Sequence, residues 1–246
     1  MFTWQAVISE DLGFSSFSQQ HFWVMLMFLF SLAGVIWAGL QFGRPVNHQL
    51  SRGLSLVLPL TIVAWTALKL SLGTFNPVVD LPLNPCNLIA LLAPLIFWTP
   101  NLQRFEIVYF LVMAGTLQAF LTPDLYQGFP SFTFFKYWIV HGGVILIVVH
   151  HFLAFRLYPR LKGILTTFLC INLYAAVLYL INLWLGANYL YLINKPGNPS
   201  ILDYFGPWPV YIFYVEVLAV ILFALLYLPV LLFKKYFPPL NHSPQK

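Results

Sequence analysis

The sequence has very little charge. Only 8% of its 246 residues are Asp, Glu, Lys or Arg, against about one quarter in an ordinary soluble domain. Too few charges are present to clothe a solvated globular surface. The formal net charge of +5 is carried by basic residues scattered singly between apolar runs, so nucleic acid is not an expected partner. Cysteine is almost missing. Cys86 and Cys170 fall in different apolar segments and form neither a metal-ligand spacing nor a disulfide framework. No metal and no cofactor are expected. Met1 to Gln20 contain no Lys, no Arg and no cleavage-site pattern, which argues against a signal peptide. No soluble domain, low-complexity linker or convincing internal repeat is visible, and the last absence counts against an inverted-repeat transporter. No two histidines share a depth inside facing spans, which disfavours haem. The last apolar segment has Glu216 but no lysine within it, which disfavours a retinal protein.

What is present is apolar. Hydrophobic residues make up 60% of the chain, aromatics 18%, and the mean hydropathy is +0.81. The expected fold class is all-α, a polytopic transmembrane helix bundle, with residues 1–246 forming a single integral membrane domain. The aromatic excess suits interfacial belts of Trp and Tyr. About seven apolar segments follow one another: His21–Gln41, Gly53–Leu72, Pro85–Trp98, Phe105–Phe120, Phe132–Leu153, Leu161–Trp184 and Trp208–Phe233. The third and fourth are short for a hydrocarbon core of about 30 Å, so a count of six spans stays open.

Basic residues set the expected orientation. With the N-terminus outside, Arg44, Arg52, Arg104, Arg156, Arg160 and Lys162 fall in cytoplasmic connections, and Lys234, Lys235 and Lys246 in a cytoplasmic tail. Only Lys69, Lys136 and Lys195 remain on the other side. Nine against three is a clear positive-inside bias. Glu10, Asp11, Asp80, Asp124 and Asp203 fall outside and do not oppose it.

One stretch, Leu81 to Leu92, looks organising. Asn84 suits a helix N-cap whose side-chain oxygen accepts from a first-turn amide. Pro85 suits the first helical position. Cys86 then lies in the first turn, beside unpaired amides that favour the nucleophilic thiolate. The bland alternative is a thiol acting as a small buried hydrophobe. From Pro85 the apolar run reaches only Trp98, about 21 Å at 1.5 Å per residue, so Cys86 is expected at the bottom of a recess. Other polar residues share this level: His21, Lys69, Asn87, Gln118, His141, Asn182 and Glu216. Polar groups at membrane depth face the bundle interior and are functional candidates by default. Together they suggest one polar cavity opening toward the outer leaflet. Each also has a plain reading: Lys69 snorkels to the interface, Gln118 and Asn182 bond backbone across helices, and His21 is interfacial. Glu216 is harder to dismiss, because a carboxylate at such depth is costly unless paired or protonated. His150 and His151, beside Arg156, read as interfacial.

Taken in order, several pieces resemble the YwaF-like family of bacterial integral membrane proteins. They are Phe17-Ser18 followed by His21, Pro82 through Asn87, and Phe129-Pro130 ahead of His141-Gly142-Gly143. Lys195-Pro196, Pro199 to Asp203 and Phe205 to Tyr211 complete them. The resemblance covers nearly the whole length. Animal relatives of that family include a transmembrane acyltransferase that moves fatty acyl groups among phospholipids through a cysteine. More distant relatives hydrolyse lipid esters with a threonine–histidine pair. The resemblance therefore implies Cys86 as nucleophile and His141 as its histidine, with membrane lipids as partners and the bacterial cytoplasmic membrane as location. The family often carries a histidine where Asn84 stands, which shifts any supporting role to His21 or Glu216. The leading expectation is a cysteine-dependent lipid acyltransferase or lipid ester hydrolase, with His141 as general base and a thioester on Cys86. The alternative is a transporter or small-molecule-binding membrane protein that uses the same cavity without covalent chemistry. A purely structural protein that recruits partners is a third reading.

Overall fold

The computed structural model describes residues 7–8, 13–197 and 200–240. Glu10, Asp11, Pro199 and Lys246, used in the sequence reading, lie outside the described residues. Ser18 caps the first long helix, α1 (Gln19–Gln41), by accepting from the His21 amide. A two-residue turn leads to α2 (Arg44–Ser71), which carries a proline in its first turn. Pro85 then opens α3 (Pro85–Leu91), followed by α4 (Ala93–Phe97). Next come α5 (Leu102–Leu111), a π-helical turn (Val112–Thr116) and α6 (Leu117–Leu121), which together make one rod from Leu102 to Leu121. The remaining long helices are α7 (Phe132–Ala154), α8 (Leu161–Leu185) and α9 (Val210–Tyr236). Among the described residues there is no strand. The all-helical expectation stands.

Six helices are long and apolar enough to cross a membrane: α1, α2, the Leu102–Leu121 rod, α7, α8 and α9. The expected third segment, Pro85–Trp98, is instead broken at Leu92, whose φ of −88° and ψ of 4° leave the helical region. Pro94 explains the break, because a proline has no N–H to donate to the ladder of a helix interior and its ring crowds the preceding turn. The fourth segment extends slightly beyond the expected Phe105–Phe120 at both ends, to Leu102–Leu121, and the π-turn lies within it without interrupting it.

Helix α7 is the axis of the molecule. It packs on α1, α2, α3, α5, the π-turn and α6. Its buried residues Val140, Val144, Ile147 and Val148 lie at the centre of the main apolar core. Gly142 and Gly143 allow close neighbours: a Cβ at Gly143 would stand 2.6 Å from Leu58 Cδ2, and one at Gly142 3.3 Å from Phe120. By contrast, α8 and α9 expose Leu165, Leu169, Leu173, Phe213, Val217 and Leu225, as helices facing lipid do, since hydrocarbon makes no demand for polar cover.

Connections differ between the two ends of the bundle. The segments 42–43, 98–101 and 155–160 are short and lie at one end, the tight end. The segments 72–84, 122–131 and 186–209 are longer and form the loop end. At the tight end Glu106 of α5, 3% exposed, receives Arg160 Nη2 at 2.6 Å, Nε at 3.0 Å and the Arg160 amide at 3.3 Å. This clasp fixes the start of α8 against α5. His150 and His151 are also here, and they are fully buried rather than interfacial. His150 Nε2 meets Asn47 Oδ1 at 3.0 Å, and His151 bridges Ser51 and the Phe97 carbonyl. Their partners on α2 and α4 draw them inward, which two adjacent histidines near a helix end do not announce.

Candidate functional site

At the loop end, α3 delivers Cys86 as the second residue of its first turn. The residue is half-buried. Its sulfur lies 3.2 Å from Thr116 Oγ1, with either atom able to donate. Thr116 closes the π-turn and is fully buried. A π-turn inserts one residue into the helical ladder and rotates the side chains beyond it. Here it accompanies the hydroxyl that meets the thiol. Both α3 and the π-turn pack on α7, the helix that carries His141.

His141 is buried, and its geometry fixes a tautomer. Nδ1 is 2.8 Å from the Tyr137 carbonyl, which only accepts. In the neutral ring Nδ1 must therefore hold the proton and Nε2 the lone pair. Tyr137 stacks on the same ring at 4.0 Å between centroids and is itself held by its hydroxyl on the Ala119 carbonyl at 2.7 Å. The imidazole is thus oriented, with Nε2 available as a base. No hydrogen bond joins Cys86 to His141 among the described residues; the thiol's direct partner is Thr116. Lys136 and Tyr137, one turn before His141, are within electrostatic range of Cys86.

The supporting residues divide. Asn84 does precede α3, but its side chain makes no cap bond there. Its Oδ1 instead accepts from the Leu190 amide at 3.0 Å. The correction has a physical reason: Leu190 and Tyr191 take positive φ of 60° and 53°, a strained pair for non-glycine residues, and Asn84 satisfies the amide that this bend turns inward. Asn87 keeps a buried Oδ1 with no partner, an unmet acceptor one residue from the thiol. His21 is buried and uses both nitrogens. Nδ1 accepts from the Phe17 amide at 3.0 Å, so Nε2 donates to the Phe120 carbonyl at 3.3 Å. It stacks on Trp138 and serves to anchor α1 rather than to take a proton. Lys69 does not simply snorkel: its ammonium is 2.9 Å from Asp80. Glu216 accepts from Asn172 Nδ2 of α8 at 2.9 Å, which answers the cost of its depth. Asn182 bonds both the amide and the carbonyl of Tyr189, each at 2.9 Å, so it shapes the following loop rather than another helix. Gln118 is half-buried on α6.

Sequence reasoning missed the roof over this site. Tyr189 Oη donates to the Pro77 carbonyl at 2.6 Å and accepts from the Leu81 amide at 3.0 Å. Tyr174 Oη reaches the Leu83 carbonyl. Tyr191 Oη meets Asp124 Oδ2 at 2.6 Å, while its own carbonyl receives Tyr211 Oη at 2.5 Å. These phenols sew the 186–209 segment to the other two loop-end connections. Burial first, then the Asp124 carboxylate, push the Tyr191 phenol above the ordinary tyrosine range, so it stays a donor at neutral pH. Tyrosines at a membrane interface read as belt residues, and nothing in their spacing marks them as tethers. Among the described residues no group of three His, Cys, Asp or Glu could hold a metal ion.

A thiol on a hydroxyl, an oriented imidazole one helix away and a tyrosine-tethered roof, all within a bundle of membrane-crossing length, define a polytopic membrane protein with a cluster of polar side chains at one end. The chain belongs to the TMEM164 family, whose model matches residues 16–227. That match takes in α1 to α8 and most of α9, with Cys86, Thr116, Lys136 and His141. It is a multi-pass membrane protein. No curated protein and no solved structure matches the chain.

Proposed function

We propose that the chain is a membrane-embedded, cysteine-dependent lipid acyltransferase or lipid ester hydrolase of the bacterial cytoplasmic membrane, with the loop end facing outward. The observation that carries this reading is the Cys86 thiol held 3.2 Å from the Thr116 hydroxyl, on elements that pack against the helix bearing His141. In the proposed reaction the proton leaves Sγ through the Thr116 hydroxyl, or a water, toward His141 Nε2. The sulfur then forms a bond to the acyl carbonyl carbon of a lipid ester. As the tetrahedral intermediate collapses, the ester C–O bond breaks and His141 returns the proton to the leaving alkoxide. A second lipid hydroxyl, or water, resolves the thioester by the reverse steps. First-turn amides of α3 are suited to the oxyanion.

The test is incubation of the purified full-length protein with lipids bearing heavy-isotope acyl chains, read by intact-protein mass spectrometry. The expected result is one acyl mass on Cys86, removable by hydroxylamine, and absent in Cys86→Ala. Unmodified wild-type protein across phospholipids and neutral glycerides would remove the covalent reading. The non-covalent alternative, a transporter or binding protein, would then stand, with Lys69 and Glu216 as the groups whose loss matters most.

A further inference from the structure

Two ammonium groups share one indole at the loop end. Lys69 Nζ lies 5.2 Å and Lys136 Nζ 4.6 Å from the Trp65 ring centroid. The indole is fixed in turn, since its Nε1 donates to Thr133 Oγ1 at 3.2 Å. Only one of the two cations is neutralised. Asp80, itself buried, takes Lys69 at 2.9 Å and also the Asn76 amide at 2.7 Å. Among the described residues Lys136 has neither a hydrogen bond nor a carboxylate at ion-pair distance. Asp80 and Cys86 are within its electrostatic range but do not touch it.

A half-buried ammonium without an anion is unfavourable, because desolvation is not repaid by a partner. A cation over an aromatic face keeps its N–H donors for a stronger partner. The missing partner must be negative, must reach a point near Cys86, and must enter from an apolar surrounding. A lipid phosphate meets all three conditions. In a glycerophospholipid the phosphate and the acyl ester are a few bonds apart across the glycerol, so a phosphate on Lys136 leaves an ester in the neighbourhood of the thiol.

We propose that Lys136 is a specificity-determining residue: it pairs with the phosphate of a glycerophospholipid whose acyl ester lies at Cys86, and so selects phosphate-bearing lipids over neutral glycerides. This rests on the lipid-ester reading of the site. Lys136 touches the headgroup and takes no part in bond making; Lys69 stays committed to Asp80.

The experiment separates binding from chemistry. Full-length Cys86→Ala protein, which cannot form a thioester, is titrated with dioleoylphosphatidylglycerol and with dioleoylglycerol, and bound lipid is counted by native mass spectrometry. The phosphate-bearing lipid is expected to bind about tenfold tighter, the scale of one charge-assisted contact. Adding Lys136→Met should erase that preference, and adding Lys136→Arg should keep it. A preference that survives in Lys136→Met overturns the proposal. Should Lys136→Met not fold, Lys136→Gln and competition by inorganic phosphate on the Lys136-bearing protein take its place. Inorganic phosphate that displaces the lipid completely would make the site one for free phosphate and overturn the lipid assignment. A wild-type protein that never acylates but keeps the Lys136-dependent preference would remove the cysteine mechanism and leave this assignment standing.

Discussion

At the scale of single residues, Cys86 and His141 could be picked out of the sequence because a thiol in a proline-led first turn and a histidine deep in an apolar run are both unusual. Thr116 could not. A threonine after Gly115 in an apolar span commonly bonds its own helix, and only the π-turn brings its hydroxyl to the sulfur. Its contribution is separable from that of the thiol. Thr116→Val keeps the volume but leaves the thiol without its partner, so acylation should slow by about tenfold, the effect of one modest hydrogen bond at a reacting group. Cys86→Ala and His141→Ala should each abolish acylation, and the double variant should be no worse, because residues acting as a unit are not additive. Single-turnover acylation rates measure all three. Cys170 is the internal control. It projects from α8 among exposed apolar residues, on a different helix from Thr116 and His141. A thiol-directed lipid probe should label Cys86 much faster than Cys170, and equal labelling would discard the argument that Thr116 and His141 activate the sulfur.

At the scale of elements, the strongest clasp is that between Glu106 and Arg160. The hydrogen bonds that Arg160 donates to the Glu106 carboxylate hold the Arg160 pKa above the arginine range, so the cation is never lost. The pair rests against Gly163, where an added Cβ would come within 3.1 Å of the Glu106 carboxylate. Glu106→Ala should cost about 1–3 kcal/mol, since it removes the acceptor of three hydrogen bonds, among them that of the Arg160 amide. Gly163→Ala should cost less, because the carboxylate must shift by only a few tenths of an ångström. Thermal unfolding of detergent-purified variants checks the order. Two features of the elements were open to a sequence reading and two were not. Pro85 as a helix start and the shortness of Pro85–Trp98 were both visible, and that segment fills its place between the two ends as two short helices rather than one long one. Neither the π-turn nor the left-handed pair Leu190–Tyr191 has a sequence mark: Gly115 in the π-turn is one glycine among several in the apolar spans, and Leu190–Tyr191 lacks the glycine that a positive φ normally selects. Asn84 holds that pair, and Asn84→Ala should loosen the roof: it leaves the Leu190 amide unpaired, at a cost of about 1–3 kcal/mol, and should raise proteolysis within residues 186–209.

At the scale of the whole molecule, the two ends of the bundle are built for different surroundings, and this difference predicts which way the protein faces. The tight end carries Arg44, Arg52, Arg104, Arg156, Arg160, Lys162, Lys234 and Lys235, on the ends of its helices and the short 155–160 connection. Lys234, at the last turn of α9, donates to the Pro159 carbonyl at 3.1 Å, so the C-terminal basic pair belongs to the same surface as the Arg156–Lys162 turn. The loop end carries Lys69, Lys136 and Lys195, and two of these are held over the Trp65 ring. Discounting them makes the asymmetry steeper than a count along the sequence, where every lysine weighs the same. Positive charge is retained on the cytoplasmic side during insertion, which predicts that the tight end and the C-terminus face inward and that Cys86 lies toward the outer leaflet. A reporter fused after Lys246 that fluoresces only in the cytoplasm should therefore be bright, and one active only outside should be silent. A cysteine placed on the roof, as Tyr204→Cys at a position 88% exposed, should react in whole cells with a membrane-impermeant maleimide. The opposite pair of results would turn the molecule over. Cys86 would then draw its lipids from the inner leaflet, and the positive-inside argument would have failed despite an eight-to-three separation of described cations.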